Sequence, residues 1–189
     1  LFSFSKNHGV TSPKLSQTMY KSNQNMELYK HQIEGVNWML EREHSKVGPT
    51  GGFLCDEMGL GKTAQLVTLI KRNRVNMTLV VVPKSIVTQW KKEIQKFAPD
   101  LTVFVYDGIK RTKYVEDLSS CDVTVCPYSL LTEDDPLVHK VKWGRVILDE
   151  AHEIRNRRSK RFKSAMKIVA PYRWAVTGTP VFNDIDDFV

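Results

Sequence analysis

The sequence predicts an α/β domain, a parallel β-sheet flanked by helices on both faces. Three observations carry that prediction. Short apolar runs alternate with segments of helical periodicity, the order in which parallel strands are joined by helical crossovers. The run Thr78–Val82 is largely β-branched and has no polar alternation, which marks a strand buried on both faces. The polar turns at Asp56–Thr63, Pro83–Lys84, Asp149–Glu150 and Thr177–Thr179 each follow an apolar run directly. In a parallel sheet they collect along the carboxyl ends of the strands, where ligands bind.

Taken in order, residues 1–26 are rich in Ser, Asn and Lys, contain Pro13 and lack any acidic side chain, so they read as a basic arm or linker. The domain is expected over residues 27–189. Helical periodicity starts at Glu27, with Ile33, Val36 and Leu40 on one face, Trp38 and Met39 beside it, and Glu41–Glu43 closing the segment. Gly48, Pro49, Gly51 and Gly52 then break the chain before a short strand, Phe53–Cys55. A helix follows from Ala64 to about Arg72, its apolar face formed by Leu66, Leu69 and Ile70. Beyond the strand Thr78–Val82, Ser85 is expected to N-cap a helix carrying Ile86, Trp90, Ile94 and Phe97. Core packing is expected for both Trp38 and Trp90. Further strands are expected at Leu101–Tyr106, Val123–Cys126, Val146–Leu148 and Trp174–Val176, and further helices at about Ile109–Leu118 and Ser159–Ala170.

Composition limits the functional classes. At 189 residues, 41% hydrophobic and 26% charged, the chain has globular composition and room for one well-buried core. Its longest apolar run, Leu79–Val82, ends at Pro83 and is too short to cross a bilayer, and the N-terminus has no signal-peptide pattern. An intracellular protein without membrane partners is expected, nuclear, or cytoplasmic for a viral or bacterial chain. Cys55, Cys121 and Cys126 do not pair in number and lie in or beside apolar runs, so they point to core packing in a reducing compartment. The formal charge is +7, and between Arg155 and Lys167 there are seven basic residues and no acidic one. That run suits a polyanion bound through its phosphates, and equally a solvated helix face.

Asp56–Thr63 reads Asp-Glu-Met-Gly-Leu-Gly-Lys-Thr between a buried strand and a helix start. Small residues there let backbone N–H groups converge, and a helix N-terminus favours negative charge, so the segment is suited to cradle phosphate. Lys62 would reach the terminal phosphates and the Thr63 hydroxyl would hold Mg²⁺. The general phosphate-loop pattern has a glycine where Asp56 stands, and Gly59 and Gly61 alone also fit an ordinary strand-to-helix turn. Downstream, Val146–Leu148 runs into Asp149-Glu150-Ala151-His152. In nucleoside-triphosphate hydrolysis one carboxylate can hold Mg²⁺ while its neighbour orients or deprotonates the attacking water. Asp149 takes the first role here and Glu150 the second, with His152 as a polar relay. Taken alone, this tetrapeptide is also a common acidic helix start.

The pieces together resemble the first RecA-like lobe of the Swi/Snf-type ATPases in helicase superfamily two. They are Leu28–Gln32 with Gly35–Met39, Asp56–Thr63, Val81–Ser85 with Gln89-Trp90, Asp149–His152 and Thr177–Pro180. The resemblance covers about Glu27–Val189, and members of that family carry Asp where Asp56 stands. It implies a RecA-like P-loop fold that binds ATP and Mg²⁺ through Asp56, Gly59, Leu60, Gly61, Lys62, Thr63 and Ala64. Gln32 would read the adenine edge. Lys62, Asp149 and Glu150 would serve catalysis, Thr63 and Asp149 the metal. Lys84, Ser85, Tyr128 and Arg155 would contact nucleic acid, and His152, Thr177, Gly178 and Thr179 would couple nucleotide state to lobe movement. Arg155-Asn156 and Arg173-Trp174 are similar to the Rad-type subgroup.

The implied activity is an ATP-driven translocase on double-stranded DNA that remodels complexes with nucleosomes or other DNA-bound proteins. The implied partner for hydrolysis is a second RecA-like lobe, which supplies arginine fingers and for which the sequence after Pro180 has no room. Little ATPase activity is expected from this lobe alone. The alternatives are a strand-separating helicase of the same superfamily and a non-catalytic nucleotide- or DNA-binding module.

Overall fold

A computed structural model describes residues 28–108, 121–131 and 136–178. The strands are β1 (Gly51–Leu54), β2 (Thr78–Val82), β3 (Val103–Val105), β4 (Val123–Pro127), β5 (Arg145–Asp149) and β6 (Tyr172–Val176). They form one six-stranded sheet in the order β1-β6-β5-β2-β4-β3, and every neighbouring pair is parallel. The helices are α1 (Lys30–His44), α2 (Lys62–Arg72), α3 (Val87–Phe97), α4 (Pro136–Lys140) and α5 (Lys160–Lys167).

Pleating sends alternate side chains of each strand to opposite faces, and both faces are covered. Val80 and Val82 of β2, Val125 of β4 and Ile147 of β5 pack with Val36 and Met39 of α1, Leu66 and Leu69 of α2, and Trp90 and Ile94 of α3. On the opposite face Leu79 and Val81 meet Val146 and Leu148, covered by Val138 of α4, Ala165 of α5, Trp143 and Ile154. Every residue of β2, β4 and β5 is buried, as expected for central strands of a parallel sheet. The α/β sheet with helices on both faces is therefore as the sequence predicts.

Several local expectations shift. α1 begins at Lys30, and its buried stripe is Gln32, Val36, Met39 and Glu43, whereas Ile33 is exposed. Two polar residues on that stripe hide it from an apolar period. Ser85 does not cap a helix: Lys84–Ile86 form a 3₁₀ turn, and α3 follows from Val87 with no side-chain cap. Trp38 is partly exposed and lies edge-on to Trp174 at 5.3 Å rather than within the core. Cys55 is exposed because β1 ends at Leu54, while Cys126 is buried as expected. α5 stops at Lys167, where the Arg173 guanidinium donates to the carbonyls of Ala165, at 3.1 Å, and Ile168. The short α4 has no counterpart in the sequence reading. The expected arm over residues 1–26, the helix over Ile109–Leu118 and Thr179 lie outside the described residues.

At the amino end of the sheet one ion pair joins five elements. Glu43, near the end of α1, and Arg145, the first residue of β5, are both fully buried. The Arg145 guanidinium donates to both Glu43 carboxylate oxygens at 2.6 Å. Asn73 Nδ2, just past α2, and Trp174 Nε1 of β6 donate to the same carboxylate at 2.6 and 2.9 Å. Arg145 also donates to the Asn73 carbonyl at 2.9 Å and to Thr78 Oγ1 of β2 at 3.3 Å. Burying two charges is costly, and it is tolerable here because each oxygen of the carboxylate has two donors. Glu43→Ala leaves Arg145 charged and buried without its partner, and unfolding in urea is expected to show a loss of about 3–5 kcal/mol. The double variant Glu43→Ala/Arg145→Met is expected to recover part of that loss.

Candidate active site

The loop between β1 and α2 is held open by its neighbours. Gly59 and Gly61 take φ of 86° and 76°, the left-handed region that glycine occupies without strain. A Cβ on Gly61 would also lie 2.2 Å from Gln32 Nε2. Gln32 is nearly buried and straps α1 to the loop: its Nε2 donates to the Leu60 carbonyl at 3.0 Å and its Oε1 accepts from the Tyr29 N–H at 3.0 Å. Asp56 is fixed from the other side, where buried Gln65 of α2 donates to its Oδ2 at 2.7 Å. This explains an acidic residue at the position where the general loop pattern has glycine. The Lys62 ammonium folds back under the loop, donating to the Asp56 and Glu57 carbonyls at 2.8 and 3.1 Å. The first turn of α2 includes Thr63 and Ala64, whose N–H groups belong to the orphan donors of a helix start.

Strand order brings the acidic turn to this loop, because β6 is flanked by β1 and β5. Asp149, nearly buried, accepts from Trp90 Nε1 at 2.7 Å through Oδ2 and from the Glu150 N–H at 3.0 Å through Oδ1. Burial pushes the Asp149 carboxyl above the usual range and the Glu150 charge adds to it, while the Trp90 hydrogen bond, the Glu150 N–H and the Lys62 charge oppose the rise. Glu150 adopts φ 50° and ψ 52°, left-handed backbone that costs an L-residue about 1–2 kcal/mol. That turn holds its Oε2 3.2 Å from His152 Nδ1, which lies 3.5 Å from Thr177 Oγ1. Thr177 donates its N–H to the Leu54 carbonyl at 3.1 Å. A Cβ on Gly178 would fall 2.8 Å from Met58 Cγ and 3.4 Å from Lys62 Nζ, so glycine permits the turn after β6 to rest against the loop.

The donors present fit a magnesium–nucleotide. Thr63 and Asp149 offer hard oxygen atoms, and few protein ligands suit an ion that keeps several waters and shares phosphate oxygens. A buried carboxylate with a raised pKa is also one that a cation would compensate.

The residues expected to touch nucleic acid divide. Lys84 and Ser85 are exposed, with Lys84 Nζ 3.4 Å from Asp107. Arg155 and its basic neighbours Arg157, Arg158, Lys160, Arg161, Lys163 and Lys167 are exposed as well. Tyr128 is not at the surface: it is 2% exposed, and its hydroxyl is buried under the acidic turn. Burial, reinforced by Asp149, Glu153 and Glu150, raises its pKa well above the ordinary tyrosine value. A phosphate backbone contact by that hydroxyl does not fit this placement. Sequence reasoning missed Trp90 and Gln65. A buried indole N–H requires an acceptor, but no local pattern around Trp90 identifies Asp149 as that acceptor.

The SNF2-related domain family matches residues 31–189. The ATP-dependent helicase fft1 of Schizosaccharomyces pombe is 36% identical over 174 residues, covering 86% of this chain and 18% of that protein. The ISWI chromatin-remodeling complex ATPase ISW1 of Saccharomyces cerevisiae is 32% identical over 173 residues, covering 86% and 15%. The Sulfolobus solfataricus SWI2/SNF2 ATPase core in complex with dsDNA superposes with a TM-score of 0.76 at 36% identity, covering 86% of this chain and 34% of that one. The chain thus spans less than a fifth of these two curated relatives.

The Asp56 clamp is testable through Gly35, where a Cβ would meet Gln65 Oε1 at 2.0 Å. Gly35→Ala is expected to displace the Gln65 amide, release Asp56 and lower nucleotide affinity several-fold in calorimetric titration. Gln65→Ala should lower it by a similar factor and the double variant no further, because the two changes act through one contact.

Proposed function

This chain belongs to the SNF2-related family, and on that basis we propose that it is the ATP-binding lobe of a motor that translocates on double-stranded DNA and remodels protein–DNA complexes. The observation that carries the reading is the β1-β6-β5 order, which sets the loop, Thr177-Gly178 and Asp149-Glu150 side by side. The loop N–H groups and the α2 start bind the phosphates. Lys62 exchanges the carbonyls of Asp56 and Glu57 for the terminal phosphate oxygens, and Gln32, already held by Tyr29 and Leu60, meets the adenine edge.

Thr63 and Asp149 would hold Mg²⁺, which would supply neutralisation of charge on the phosphoryl group. Glu150 orients the attacking water and takes its proton, with His152 beside its carboxylate. The contacts of Thr177 with His152 and of Gly178 with the loop support a role in relaying nucleotide state, and we assign Thr179 to the same turn. Lys84, Ser85 and the exposed basic side chains between Arg155 and Lys167 face the DNA backbone. A second RecA-like lobe supplies the arginines that complete hydrolysis. Nucleosomes or other DNA-bound proteins are the partners, in the nucleus for a eukaryotic chain.

In the complete two-lobe motor, Glu150→Gln is expected to retain ATP binding while DNA-stimulated turnover falls by at least about 10²-fold. Near-normal hydrolysis in that variant would overturn the assignment of Glu150. On duplex substrates the motor should displace a third strand or a bound protein without separating the strands. Unwinding of a blunt duplex would instead identify a strand-separating helicase.

A further inference from the structure

Trp90 is 1% exposed, and its indole carries a single polar atom, a donor. That N–H is directed at Asp149 Oδ2 at 2.7 Å, in a buried contact between the first half of α3 and the end of β5. The second oxygen, Oδ1, accepts from the Glu150 N–H at 3.0 Å. With one donor on each oxygen the carboxylate cannot rotate about its Cβ–Cγ bond without breaking both hydrogen bonds. Packing alone does not require this arrangement. An apolar ring would fill the space beside Val87 and Ile94 equally well, whereas an indole in a core needs an acceptor.

We propose that Trp90 is a positioning residue for the metal–nucleotide: its indole N–H locks the Asp149 carboxylate in the orientation that receives Mg²⁺. The inference rests on the assignment of Asp149 to the metal in the proposed function. The same contact ties the metal carboxylate to α3, whose preceding turn, Lys84–Ile86, leads directly from β2. Asp149 is thus oriented by a neighbouring element as well as by its own strand.

The test is equilibrium binding of a fluorescent ADP analogue to the chain, measured with Mg²⁺ and with EDTA. Trp90→Phe keeps an aromatic ring and removes the donor. The gain in affinity that Mg²⁺ provides is expected to shrink about tenfold, the scale of one hydrogen bond to a charged group, while metal-free binding stays unchanged. Ile94→Ala, a loss of packing in the same cluster without loss of the donor, should leave the Mg²⁺ gain intact. Replacing Trp90 with 3-benzothienylalanine, which keeps the ring shape and puts sulfur in place of the N–H, should reproduce the Trp90→Phe result without a packing change. If Asp149→Asn abolishes the Mg²⁺ gain and the benzothienyl variant retains it, the positioning role is overturned. If Asp149→Asn itself retains the gain, the metal assignment of Asp149 fails first.

Discussion

The two helices that hold the Asp56–Thr63 loop, α1 through Gln32 and α2 through its first turn, are pinned at their far ends by one carboxylate, that of Glu43. It belongs to α1, and it receives Asn73 at the carboxyl end of α2 together with Arg145 of β5 and Trp174 of β6. From Glu43 to Gln32, α1 spans about 16 Å at 1.5 Å per residue, with Val36 and Met39 packed between them. The stripe that carries the anchor at one end therefore carries the loop strap at the other. α2 repeats the arrangement, with Asn73 beyond its last turn and Lys62 at its first. The loop is thus held by two helices that share one anchor at the opposite end of the sheet.

The two ends of the sheet are chemically opposite. At the amino end the charges of Glu43 and Arg145 are matched, and each oxygen of the carboxylate accepts from two donors. At the carboxyl end the molecule retains local costs: a buried Asp149 whose pKa is raised, Glu150 in left-handed backbone, and buried Gln65 Oε1 and Tyr128 hydroxyl atoms without a hydrogen-bond partner among the described residues. Such costs persist only where the surrounding structure is secure enough to impose them. The matched end provides that security.

Sequence periodicity reveals what is regular here and misses what is polar and buried. The continuous apolar runs of β2 and β5 are legible because a strand covered on both faces cannot show alternation. The loop and the acidic turn are legible because their residue types follow strands immediately. α1 is only half legible, since Gln32 and Glu43 share its buried face with Val36 and Met39 and carry no apolar signal. Trp90 reads as packing from sequence, because its spacing fits a helix face and nothing local reveals an acceptor 59 positions away. Tyr128 is assigned to nucleic acid by the resemblance alone, and no periodicity shows that its ring packs in the core, with Ile154 and Ala151 against the same cluster.

The position of β6 has a consequence for the birth of the protein. Among the described residues β1 pairs with β6 alone, and the hydrogen bond from Thr50 to the Pro171 carbonyl at 2.6 Å joins positions 121 residues apart. As the chain leaves the ribosome, β2, β4 and β5 can pair while β1 and the loop behind it remain without a strand to rest on. The loop is encoded early and completed late, when Tyr172–Val176 pairs with β5 on one side and gives β1 its partner on the other. A chain without that strand lacks both the partner of β1 and the Gly178 turn that rests against Met58 of the loop.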